Sequence, residues 1–120
     1  MQNWRTRVFR TVGIAMAIGL FWAAWKPEAG EVFGGHDWLH YFAHFSVFAA
    51  FASVWTLGLP RIPTFAIAIG VVAFGFLHET FEITGHVHAF ESTDALVDAL
   101  GATVGVLVTR RFMASIIDPA

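Results

Sequence analysis

His40 and His44 stand four residues apart, Glu79 and Glu82 three apart, and Asp94 and Asp98 four apart, so on helices each pair shares a face. Imidazoles and carboxylates gathered this way can hold a proton or a cation, or act as general acid and base. Two carboxylates about 6 Å apart on one helix face repel each other and favour a shared proton, a nearby histidinium or a bound divalent cation. His40 and His44 with a carboxylate of the third or fourth helix, Glu79 first among them, form a candidate metal set, because neutral imidazole plus carboxylate suits zinc, iron or manganese. The string His78-Glu79-Thr80-Phe81-Glu82 opens like the zinc-protease motif H-E-x-x-H, but its fifth residue is Glu in place of the second histidine. Histidines in aromatic-rich helices also ligate haem or chlorophyll-type pigments, with His44 the deepest candidate here, yet no haem attachment motif accompanies it. There is no nucleophile elbow, P-loop or dinucleotide fingerprint. Cysteine is absent, which removes thiolate chemistry and disulfides.

The elements that must position these groups are apolar. Of 120 residues 57% are hydrophobic and 13% charged, more apolar surface than one small water-soluble core can hide, so lipid is the expected solvent. Long apolar stretches predict four spanning helices, at about 8–25, 38–59, 64–81 and 94–110, in a single membrane domain covering 1–120. Pro60 and Pro63 end the second, and Ser92, Thr93 and Asp94 are cap candidates for the fourth. The short connections favour an all-α, four-transmembrane-helix antiparallel bundle. The first segment also mimics a signal peptide, but WAAWKPEAG lacks a clear small-x-small cleavage site. Net charge is −2 and the 7 Lys and Arg form no continuous patch, which excludes a nucleic-acid surface.

Arg5, Arg7, Arg10, Arg61, Arg110 and Arg111 fall on one side of this topology and Lys26 alone on the other, which puts both termini on the cytoplasmic side. Trp4 at one interface and Trp22, Trp25 and Trp38 at the other fit an aromatic belt; Trp55 is less diagnostic. The six histidines and every acid except Asp118 then lie toward the outer side. Glu28, Glu31, His36 and Asp37 fall in the first outer loop, and His86, His88 and Glu91 in the second. Of these, Glu28, Glu31, His86, His88 and Glu91 read as solvated. Asp98 falls about 7 Å inside the fourth helix, where a carboxylate facing lipid is costly, so it should face protein. Gly101 and Gly105 lie on nearly the same stripe and permit close helix packing. The histidine face of the second helix and the Gly75-Glu79-Glu82 face of the third are its natural partners. The expected product is a sheltered outward pocket of His40, His44, Glu79, Glu82, Asp94 and Asp98, serving as a binding site or as interhelical glue.

Two segments, HDWLHYFAHF and GFLHETFEITGHVHAFESTDALVDALGATVG, resemble the VanZ-like family of small helical membrane proteins. Matched residue by residue, His40 takes the family histidine, Glu79 the glutamate, Asp94 the aspartate and Gly101 the glycine, with Gly105 continuing the pattern. Glu82 stands where the family usually has Gln, Asp98 where it has Asn and Trp38 where a Lys is common, and an arginine expected before Asp94 is missing. This pocket is therefore more acidic. The resemblance implies a cell-envelope membrane protein whose outer pocket binds a lipid-linked or hydrophobic ligand. Two other functions fit the residues: an accessory subunit packed among other membrane subunits, and a membrane hydrolase using Glu79 or Asp98 as base and His40 or His44 as ligand or acid. Binding accounts for the residues with fewer assumptions than catalysis.

Overall fold

A computed structural model describes residues 4–26, 38–86 and 89–117 and is all-helical over them, with α1 at Trp4–Trp25, α2 at Trp38–Gly58, α3 at Thr64–His86 and α4 at Ser92–Ile117. Glu28, Glu31, His36, Asp37, His88 and Asp118 lie outside the described residues. At 1.5 Å per residue the helices are about 33, 32, 35 and 39 Å long, against a hydrocarbon core of about 30 Å. All four are long and apolar enough to span a membrane.

Three helices outrun their expected limits. α1 begins at Trp4 because Arg5 and Arg7 are good helix formers; a charge marks the edge of the apolar span, not the end of the helix. α3 runs five residues past the expected end at Phe81, since Glu82 is equally compatible with helix, and Gly85 there packs against α1. α4 starts earlier and continues through Arg110 and Arg111. Its first helical amides, those of Asp94 and Ala95, donate to the Glu91 carbonyl. Asp94 is therefore in the first turn and its side chain bonds to His40 instead of capping the helix.

Burial is inverted relative to a protein folded in water. Glu79 and Asp98 are 0% and 1% exposed, whereas Ile18 and Ile69 are each 65% exposed. A lipid solvent explains both, since it accepts aliphatic side chains and penalises charge. The apolar core joins Phe48, Phe51 and Ala52 of α2, Ile67 and Val71 of α3, and Ala102 and Val106 of α4. Phe74 lies between Phe51 and Phe21 in tilted ring contacts, with centroids 4.7 and 4.8 Å away. Trp4, Trp22, Trp25 and Trp38 are exposed, while Trp55 lies half-buried against Gly13.

The closest helix pair is α2 with α4. A Cβ at Gly101 would run into the Phe45 carbonyl and one at Gly105 into the Ala49 carbonyl, so only glycine allows the two backbones to meet. Ser53 Oγ donates to the Ala49 carbonyl at 2.8 Å and reaches the Gly105 carbonyl at 3.3 Å. The His40–Asp94 and His44–Asp98 contacts share a sequence offset of 54, which means that α2 and α4 run in the same direction.

The two ends of the bundle differ chemically. At one, Arg10 Nε donates to the Gly58 carbonyl at 2.8 Å. Arg110 Nη1 donates to the Pro60 carbonyl at 2.7 Å, and its Nη2 donates to the Ile62 carbonyl. These guanidinium groups satisfy carbonyls that the end of α2 and the following turn leave without helical partners. The other end holds the histidines and carboxylates.

Candidate functional site

The site is a two-rung ladder between parallel helices. His40 and His44 lie one turn apart on α2, as do Asp94 and Asp98 on α4, and the close approach at Gly101 and Gly105 brings the two stripes into register. Nε2 of His40 is 2.9 Å from Oδ2 of Asp94. One turn deeper, Nδ1 of His44 is 2.9 Å from Oδ1 of Asp98. The rungs are linked, because Nε2 of His44 also faces Oδ2 of Asp94 at 3.9 Å and the two imidazole centroids are 4.6 Å apart.

Both aspartates are almost fully buried, and the histidines retain only modest exposure. In so sheltered a setting a carboxylate needs every acceptor position filled or a cation beside it. Oδ1 of Asp94 and Oδ2 of Asp98 have no hydrogen-bond partner among the described residues. The position where a Cβ at Gly75 would stand is 3.4 Å from Asp98 Cβ and 3.2 Å from the Phe48 ring, so Gly75 leaves room for α4 to bring Asp98 inside.

Glu79 is also inside, but with a different partner. Its Oε1 accepts from the Glu91 backbone amide at 2.7 Å, tying α3 to the start of α4, while Oε2 has no hydrogen-bond partner among the described residues. The solvated reading of Glu91 needs correction: it is half-buried and its backbone is bound. Glu82 is half-buried and faces His78 of its own helix at 3.9 Å. The α2 histidine face thus meets the α4 aspartates directly, and α3 contributes Gly75 and Phe74 below them and Glu79 beside them.

One ligand atom from each of His40, His44 and Asp94 lies within 4.8 Å of the others, which makes these three the candidate metal group. Its carboxylate, Asp94, comes from α4, one of the two helices the sequence allowed, and Glu79 of α3 is not part of this group. His78 was not singled out, yet it is buried, with its ring centroid 6.5 Å from His44 and 5.8 Å from Phe48. Its position three residues after Gly75, on the packed stripe of α3, was the signal for it.

Fold and site together define a multi-pass helical membrane protein with a histidine/carboxylate cluster buried among its helices. Comparison with protein-family models, curated proteins and solved structures returns no match for the chain.

Proposed function

We propose that this chain is a VanZ-like inner-membrane protein of the bacterial cell envelope, an antiparallel bundle with both termini cytoplasmic, whose outward-facing pocket binds a lipid-linked or hydrophobic ligand. The arginines support the orientation, since Arg10, Arg61 and Arg110 gather at the end away from the histidines. One observation carries the binding reading: the buried carboxylates of Asp94 and Asp98 each keep an oxygen without a hydrogen-bond partner among the described residues. Helix glue is stabilising when its polar atoms are satisfied, and a half-satisfied network is worse than an apolar one. A pocket waiting for a polar headgroup leaves such atoms, and the exposed apolar flanks of α2 and α4 at Phe42 and Leu96 suit the hydrophobic part of the same molecule.

The test is mass spectrometry of lipids retained by the full chain after purification in detergent, alongside Asp94→Asn and Asp98→Asn variants. A lipid-linked species enriched with the parent protein and depleted from folded variants supports the reading. Retention of the same bulk lipids by all three proteins contradicts it.

A further inference from the structure

We propose that His40, His44 and Asp94 bind a divalent transition-metal ion, with zinc the best fit, and that Asp98 acts from behind His44 as its positioning residue. The inference deepens the ligand-binding reading and rests on the same pocket, but its test uses metal alone.

Geometry supplies the first argument. Ligands held about 2.0–2.1 Å from zinc at tetrahedral angles stand about 3.3 Å from one another. Asp94 Oδ2 is 2.9 Å from His40 Nε2 and 3.9 Å from His44 Nε2, and one ligand atom from each of the three residues lies within 4.8 Å of the others, so the set closes on an ion by drawing together.

The second argument is the orientation of His44. A metal-ligating imidazole commonly donates its other N–H to a carboxylate, which fixes the ring and its tautomer. Nδ1 of His44 is 2.9 Å from Oδ1 of Asp98, so donation there leaves the Nε2 lone pair directed toward Asp94. A histidine present only as glue has no need of a second carboxylate on its opposite nitrogen.

Asp94 gives a further reason to place a cation here, since its carboxylate is buried. Its side chain is 3% exposed and Oδ1 has no hydrogen-bond partner among the described residues. A divalent ion on this carboxylate compensates its buried charge. Two imidazoles and one carboxylate favour zinc over magnesium or calcium, which prefer all-oxygen shells. Three protein ligands leave a fourth position for water or for an oxygen of the pocket's ligand.

The full chain, purified in detergent without a histidine tag and stripped with chelator, is titrated with zinc and analysed for bound metal. One zinc per chain is expected. His40→Ala, His44→Ala and Asp94→Ala should abolish tight uptake, whereas Asp98→Asn should keep the stoichiometry and weaken affinity about 10–100-fold. Because an alanine variant can fail to fold, the parent protein is also loaded with cobalt(II). Intense visible bands of low-coordinate cobalt with imidazole ligands are expected. The pale spectrum of hydrated octahedral cobalt, no zinc uptake by monodisperse parent protein, or undiminished uptake by folded Asp94→Ala would overturn the proposal.

Discussion

Nδ1 of His44 and Oδ1 of Asp98 meet 2.9 Å apart between two parallel helices, one turn below an equivalent contact of His40 with Asp94. Replacing Asp98 by Ala removes the partner of a largely buried imidazole and should destabilise the protein by about 1–3 kcal/mol. Asp98→Asn retains a carbonyl acceptor for the ring N–H and should lose less. Thermal unfolding in detergent, followed by circular dichroism, measures both.

The glycines of α4 should be intolerant for a different reason. At Gly105 a side chain meets the Ala49 carbonyl, part of a backbone that cannot rotate away, so Gly105→Val should cost about 1–3 kcal/mol or prevent folding. Gly19 on α1 has open space around its Cβ position, and Gly19→Ala should stabilise the helix by about 0.5–1 kcal/mol. Melting temperatures should therefore move in opposite directions.

Arg110 fastens the end of α4 to the carbonyls of Pro60 and Ile62 through a planar fork. Lysine offers a single point charge and cannot reproduce that geometry. Arg110→Lys should consequently recover only part of the stability lost in Arg110→Ala, a loss of about 1.5–3 kcal/mol, as measured by unfolding in detergent.

The orientation can be read by labelling, since the chain has no cysteine of its own. Ile62 and Phe90 are exposed and belong to opposite ends of the bundle. In intact cells a membrane-impermeant maleimide should modify Phe90→Cys, and should modify Ile62→Cys only after permeabilisation. The reverse pattern would invert the proposed topology.

Much of the helical content was legible because Pro60, Pro63 and the long apolar runs mark spans directly. Helix ends were less so: Arg5, Glu82 and Arg110 mark where lipid ends, and a helix readily continues into water. The inward turn of Asp98 followed from the cost of placing its carboxylate in lipid, and the tight packing followed from Gly101 and Gly105. The one-to-one register of α2 with α4, His40 with Asp94 and His44 with Asp98, could not be read from spacing within either helix, because it depends on which small residues meet which carbonyls. The sequence grouped the histidine face with both the Glu79/Glu82 face and the Asp94/Asp98 stripe, and the direct contacts of His40 and His44 go to Asp94 and Asp98. Glu79 binds the Glu91 amide, a backbone partner that no side-chain pattern announces.

As a binding site, the ladder is kept at some cost to stability. Replacing both partners of a buried hydrogen bond with apolar residues of similar shape can be nearly neutral or stabilising, while removing one partner alone is destabilising. The most direct measurement is the melting temperature of His44→Leu/Asp98→Val beside the two single variants. The double variant should melt at or above the parent protein, with both singles below it. A double variant that melts lower than either single would show that the pair holds the helices together and would contradict the site reading.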